Sequence, residues 1–172
     1  MVANGTGHYI VFDAKLKTIF EQGDVLKGKY NGECTGYDEK FKLKFAEKYE
    51  NGKLITGTST DSAGKQINYT ARSVSAEYKG GIDAFYSFLA HTIRYPGPER
   101  ENNIQGTVIL KFVIDKLGGV KDISFYRSVS ANIDAEALRV IKLSSSLWIP
   151  GYYLGKPVSQ VYTVPISFSL GR

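Results

Sequence analysis

Near residue 72 the chain changes its pattern, and no single repeating architecture accommodates both halves. Before that point, short apolar and aromatic runs alternate with glycine turns, in YIVFD, KTIFEQGDVLKG, KYNGECTGY, FKLKFAEKYENGKLITG and INYTA. Short runs of this kind, bounded by Gly and Asn, read as antiparallel strands joined by tight turns. Beyond it, stretches of helical and strand periodicity follow one another, which predicts a mixed α and β domain.

In the second half, GGIDAFYSFLAHTIRYP places Ile82, Phe85, Leu89 and Ile93 at helical spacing. Pro96 closes the run, because a residue before proline is pushed out of the α region. GTVILKFVID is rich in β-branched and aromatic residues, and Gly118-Gly119 turns it back into VKDISFYRS, which predicts a hairpin. Asp115 and Asp122 flank that hairpin and are expected to bind its turn amides. NIDAEALRVIKLS predicts a second helix with Asn132 as N-cap and Ile133, Ala137, Val140 and Ile141 on its inner side. The chain closes on a strand in which Tyr162, Val164, Ile166, Phe168 and Leu170 alternate with Thr163, Pro165, Ser167 and Ser169.

The order helix, strand, strand, helix, strand favours a sheet with the spatial order second, first, last. The last strand is then an edge, and Pro165 agrees, since proline cannot donate to a ladder and is confined to edges, strand starts or bulges. Such an edge offers unpaired backbone groups to an incoming peptide. A proline introduced at Val164 is expected to remove an edge N–H and abolish partner binding. The expected fold is α+β: residues 1–75 form antiparallel β-hairpins, and residues 76–172 form a two-layer domain with a three-stranded antiparallel sheet and two helices.

Composition narrows the function classes. The formal charge is +5, divided as +2 over residues 1–75 and +3 over residues 76–172, so no basic tract for nucleic acid or anionic lipid is present. Cys34 is the one cysteine, which excludes an internal disulfide and a thiol metal cluster. It reads as a partly buried thiol in a glycine turn without a base nearby in sequence. His8 and His91 are far apart and lack ligand neighbours at helical or turn spacing, and no glycine run has phosphate-loop context. No metal, cofactor or catalytic residue is expected. No apolar run is long enough for a membrane span, and no signal-peptide pattern opens the chain, which fits a mature or excised fragment.

Two segments of the first half look alike: Phe20-Glu-Gln-Gly23-Asp-Val-Leu-Lys-Gly28 and Tyr49-Glu-Asn-Gly52-Lys-Leu-Ile-Thr-Gly57, with Tyr30-Asn-Gly32-Glu-Cys-Thr-Gly36 as a shortened third. This pattern resembles the MORN-like repeats of bacterial surface and periplasmic proteins. In the second half, five features occur together: Tyr95-Pro96, FVIDKLGGV, DAEALRVIK, Trp148 with Pro150-Gly151, and Gly155-Lys156-Pro157-Val158 ahead of YTVPISF. Over about residues 78–170 the chain resembles the C-terminal domain of TonB in the form common among Bacteroidetes.

That resemblance implies a periplasmic domain tethered through an N-terminal inner-membrane anchor, which this chain does not contain. It implies coupling of an inner-membrane energising complex to a TonB-dependent outer-membrane transporter, by pairing of the last strand with the transporter's box segment. The implied partner-binding residues are Tyr95 and Pro96 together with Gln160, Val161, Tyr162, Thr163, Val164, Ile166 and Phe168. Trp148, Pro150 and Gly151 are expected to be structural, fixing the crossing from helix to edge strand. The basic residue that follows Tyr-Pro in other TonB proteins is Pro98 here, with Arg100 nearby as a substitute. A homodimer through the same edge is a further expectation. The alternative reading is an envelope scaffold whose repeats and TonB-like domain bind another envelope protein or the cell wall.

Overall fold

The computed structural model describes residues 3–170. The chain divides into two units, Met1–Val74 with Tyr152–Lys156, and Ser75–Gly151 with Pro157–Arg172. In the first unit a 3-10 turn at Ala3–Gly5 leads into six strands, β1 (Gly7–Phe12), β2 (Ile19–Leu26), β3 (Lys29–Asp38), β4 (Leu43–Glu50), β5 (Lys53–Thr60) and β6 (Gln66–Tyr69). They form one antiparallel meander in chain order, and β7 (Ser73–Val74) follows.

The turns at Lys27-Gly28 and Asn51-Gly52 have positive φ at both residues, the geometry that matches strand twist in two-residue hairpins. Gly28 and Gly52 are thus equivalent, whereas Gly23, aligned with Gly52 by sequence likeness, lies inside β2. The look-alike segments occupy different phases of the hairpins. Gly36 and Gly57 serve another purpose: a Cβ on either would run into the ring of Phe45 or Tyr69. These glycines make room for aromatic rings on the covered face of the sheet. Cys34 lies within β3 rather than in a turn, and it is buried against that face.

The covered face holds a charged cluster. Arg72 bonds Glu21 through Nη1 at 2.6 Å and Glu47 through Nε and Nη2. Its guanidinium lies 4.9 Å from the centre of the Phe45 ring. Tyr69 and Tyr49 donate to Glu47, and Tyr9 donates to Glu21. Buried carboxylates are held by hydrogen bonds, and these hydroxyls add donors to those of the one arginine.

The second unit contains β8 (Glu77–Tyr78), α1 (Gly81–Thr92), α2 (Gly97–Glu101), β9 (Gly106–Ile114), β10 (Val120–Arg127), α3 (Ala131–Leu143) and β11 (Trp148–Ile149). The hairpin strands β12 (Gly151–Tyr153) and β13 (Lys156–Val158) and the last strand β14 (Gln160–Phe168) complete the chain. The main sheet has the order β10-β9-β14, with β14 antiparallel to β9 from Gln160↔Ile114 to Phe168↔Gly106. Val108, Leu110, Phe112 and Ile114 of β9 share one core with Val164, Ile166 and Phe168 of β14. Phe85 and Leu89 of α1 and Ile133, Ala137, Val140 and Ile141 of α3 cover them. The period-two and helical spacings thus point the apolar residues of both layers at one another.

Several local expectations change. The N-cap of α3 is Ser130, whose Oγ accepts the Ile133 N–H at 3.3 Å; Asn132 lies in the first turn and donates to Glu99. The helix α1 ends at Thr92, and Ile82 on it is 48% exposed. Pro96 instead N-caps a third, short helix, α2. Asp115 binds the turn amides of Gly119 and Leu117, both at 2.9 Å, which hold its carboxyl below the ordinary range. Asp122 has φ +52° and lies where the β9–β10 register shifts, so it marks a bulge rather than a turn contact.

Candidate peptide-receiving edge

The strand β14 pairs with β9 on one side, and among the described residues no strand pairs with its other side. Its side chains alternate: Tyr162, Val164, Ile166 and Phe168 point toward the core, and Val161, Thr163, Pro165 and Ser167 are exposed. Backbone groups alternate with the same period. Proline on an edge strand keeps its nitrogen toward the open side, so the residues of Pro165's parity present their backbone outward. The free row consists of the N–H groups of Val161, Thr163 and Ser167 and the carbonyls of these residues and Pro165. Tyr162, Val164 and Ile166 bond to β9. A proline at Val164 would therefore break the internal ladder, contrary to the expectation that it removes an edge N–H; Thr163 is the position whose N–H is free.

The named residues contribute in different ways. Tyr162 packs between Phe112 and Trp148, with ring centres 5.8 and 4.8 Å away, so its side chain belongs to the core. Gln160 accepts the Ala76 N–H at 2.5 Å through Oε1, which fixes the entry to the strand. At the opposite end, Tyr95 donates to the Ile104 carbonyl at 2.6 Å and lies against Phe168. Pro96 follows in extended conformation, φ −65° and ψ 136°. The structure thus brings the Tyr-Pro segment beside Phe168, the last residue of β14, and leaves Gln160 at the opposite end of the strand.

Trp148 is 2% exposed and donates from Nε1 to Ser144 Oγ at 3.2 Å. Its ring meets Tyr78, Phe85, Phe112 and Tyr162. Its backbone pairs with Tyr78 across β11 and β8. The chain then passes Pro150 into the buried Gly151, the first residue of β12.

A shallow cleft of about 430 Å³ adjoins the Tyr-Pro segment, lined in part by Arg94, Pro98, Asn132 and Arg139. Its carboxylate, Glu136, is held below the ordinary range by Arg139 and accepts the Arg94 N–H at 2.6 Å. Arg100 is exposed on α2. Glu99, which the sequence did not single out, is 4% exposed and accepts from Ser130 Oγ and Asn132 Nδ2, both at 2.9 Å. It pins α2 to the first turn of α3. The spacing of Glu99 from Ser130 and Asn132 carries no local signal.

No catalytic grouping assembles around the remaining candidates. His8 bonds Asp24 at 2.9 Å, and His91 bonds the Ser87 carbonyl at 2.7 Å within its own helix. Burial pushes the Cys34 thiol up from its ordinary value, which disfavours the nucleophilic thiolate. Among the described residues, no cluster of His, Cys, Asp and Glu has the makings of a metal site, and no helix is long and apolar enough to cross a membrane.

Comparison with known proteins finds similarity over the second half of the chain. Residues 91–170 match the family described as Gram-negative bacterial TonB protein C-terminal. Two solution structures of the Helicobacter pylori TonB C-terminal domain are similar at 26% identity and a TM-score of 0.42. Each covers 51% of this chain, and the alignments span 91% and 78% of the respective domains. No curated protein matches. The similarity to the TonB C-terminal family thus lies in residues 91–170, from the end of α1 through β14.

Proposed function

We propose that this protein is a periplasmic coupler that takes the box segment of a TonB-dependent outer-membrane transporter as an added strand on β14. The observation that carries the reading is the free backbone row at Val161, Thr163, Pro165 and Ser167, on a strand whose inward side chains are locked in the core. Main-chain hydrogen bonds give such an edge its affinity, and the rigid strand presents them without reorganisation. Tyr95 and Pro96, beside the end of β14, form the rim that meets the rest of the partner.

Titration of the ¹⁵N-labelled protein with peptides copied from transporter box segments tests the reading. Amide shifts concentrated at Val161, Thr163, Ser167 and Tyr95 are the expected result. Saturating peptide that leaves these amides unmoved overturns strand addition at β14.

A further inference from the structure

The six-stranded meander of the first unit leaves one face open. Leu43, Phe45, Glu47 and Tyr49 of β4 are buried on the covered face, and Lys44, Ala46 and Lys48 between them are exposed on the other. Residues directly opposite one another on neighbouring strands share a face. Lys44 therefore stands beside Tyr37 of β3 and Thr60 of β5. In the next row Gln22, Thr35, Ala46, Thr58 and Asn68 lie side by side from β2 to β6. Thr58 Oγ1 donates to Asn68 Oδ1 at 3.0 Å.

Two loops stand at the end of the sheet next to Lys44, and each is held by its own aspartate. Asp38 Oδ1 accepts the Phe41 N–H at 2.8 Å in the β3–β4 loop. Asp61 Oδ1 accepts the Ala63 and Lys65 N–H groups, both at 3.0 Å, in the β5–β6 loop. Such turns are formed before any ligand arrives. A hollow of about 520 Å³ lies between them, lined by Lys42 of the first loop, Asp61 and Ser62 of the second, and Tyr37, Lys44 and Thr60 of the sheet. Two smaller hollows, of about 380 and 320 Å³, adjoin it, and Lys44 lines all three. Together they make a groove that crosses the strands from Gln22 of β2 to Gln66 of β6.

The charges of this face are unevenly matched. Lys48 lies opposite Glu33, and Lys53 lies opposite Glu50. Lys44 faces a tyrosine and a threonine, and among the described residues neither it nor Lys42 makes an ion pair. Asp61, the acid in the lining, is already engaged by two backbone N–H groups and by Lys156 Nζ at 3.2 Å. Two lysines without a carboxylate of their own attract an anion. The rest of the groove offers hydroxyl and carboxamide groups, which both donate and accept hydrogen bonds. A lone inorganic ion would leave that row unused, whereas a chain of sugars bearing carboxylates meets both features.

We infer that the open face of the first unit binds an acidic polysaccharide, a uronate chain lying across β2 to β6 with one carboxylate held between Lys42 and Lys44. Thr35, Thr58 and Thr60, with the amides of Gln22 and Asn68, receive the sugar hydroxyls. Tyr37 supplies an apolar ring with a polar tip, a surface that suits a sugar. Binding at this face does not depend on β14.

The test is titration of the ¹⁵N-labelled full chain with oligogalacturonate and with hyaluronan oligosaccharides, set against neutral maltohexaose and inorganic phosphate. A uronate oligosaccharide should shift the amides of Thr35, Tyr37, Lys44, Thr58 and Thr60, and added salt should weaken its binding. Lys44→Gln should lower the affinity by about tenfold, and Lys48→Gln, at the lysine that faces Glu33, should leave it within about twofold. Both lysines are exposed, so each variant should keep the far-ultraviolet circular dichroism of the wild type. Failure of both uronate oligosaccharides to move these amides overturns the site. Equal binding of maltohexaose, or undiminished binding by Lys44→Gln, removes the role of charge and overturns it as well. Phosphate that moves the same amides as strongly as the oligosaccharides marks a simple anion site, and the polysaccharide assignment then falls.

Discussion

The ring of Tyr95 stands edge-on to Phe168, with centres 5.9 Å apart and planes at 77°. Residues far apart in the chain thus meet at the end of the open strand. Aromatic pairs in this arrangement add to the stability their burial provides. Tyr95→Ala should destabilise the second unit by about 2 kcal/mol, whereas Tyr95→Phe, which loses only the bond to the Ile104 carbonyl, should cost about 1 kcal/mol. Urea unfolding followed by tryptophan emission would measure both, and equal losses would show that the ring packs against nothing of consequence.

The alternation along β14 separates two prolines. Thr163→Pro removes an outward N–H and should retain the fold while weakening peptide binding. Val164→Pro removes a ladder bond to β9 and adds a clash in the core, so it should destabilise by about 3 kcal/mol or more. Thermal melts paired with calorimetric titration distinguish them. A stable Val164→Pro beside an unfolded Thr163→Pro would reverse the assigned parity.

Arg72 neutralises two carboxylates whose side chains are 5% and 0% exposed. Removing one partner of such a group leaves charge uncompensated in a low-dielectric site. Arg72→Met should therefore destabilise the first unit by about 3 kcal/mol. The double replacement of Glu21 and Glu47 by glutamine in the Arg72→Met background should recover part of that loss. Guanidinium unfolding read by far-ultraviolet circular dichroism would show it, and no recovery would mean that the arginine acts through packing alone.

The same cluster sets the response to alkali. Burial and the neighbouring carboxylates raise the hydroxyls of Tyr9, Tyr49 and Tyr69 above their ordinary value of 10.0. Burial, together with Asp38, pushes Tyr153 up to about 12. An acid whose folded value is raised contributes stability that is complete below the unfolded value and is lost as pH rises toward the folded one. The first unit should thus weaken as pH climbs above about 10. Tyrosinate absorbance should show a set of hydroxyls that ionise only on unfolding; free titration of all twelve tyrosines near 10 would contradict the buried cluster.

Trp148 is the one tryptophan, so its emission reports on the second unit alone. A blue-shifted band resistant to acrylamide is expected for a side chain 2% exposed, and Trp148→Ala should cost roughly 4 kcal/mol. A red, readily quenched band would place the ring on the surface.

Much of the second unit was legible residue by residue. The alternation from Tyr162 to Phe168, the β-branched run in β9 and the helical spacing of Phe85 with Leu89 each report which face is buried, and burial is what those patterns encode. Pro165 marked the edge because its missing N–H is a covalent property that no context restores. The caps were less legible: Ser130 and Asn132 are both good N-cap residues, and only the carboxylate of Glu99, which engages both, separates their roles.

What the sequence by itself determined is therefore the set of properties carried by neighbours along the chain: the glycine turns of the first unit, the layers of the second unit and the position of the last strand at the sheet's edge. What only the tertiary structure decided depends on residues that share no local period. Arg72 meets Glu21 and Glu47, Tyr95 meets Phe168, and Leu154, some eighty residues on from β7, is buried with Cys34 and Phe45 of the first unit. Hydrophobic burial is non-directional, so an apolar residue declares that it will be covered, and only the folded chain determines by what.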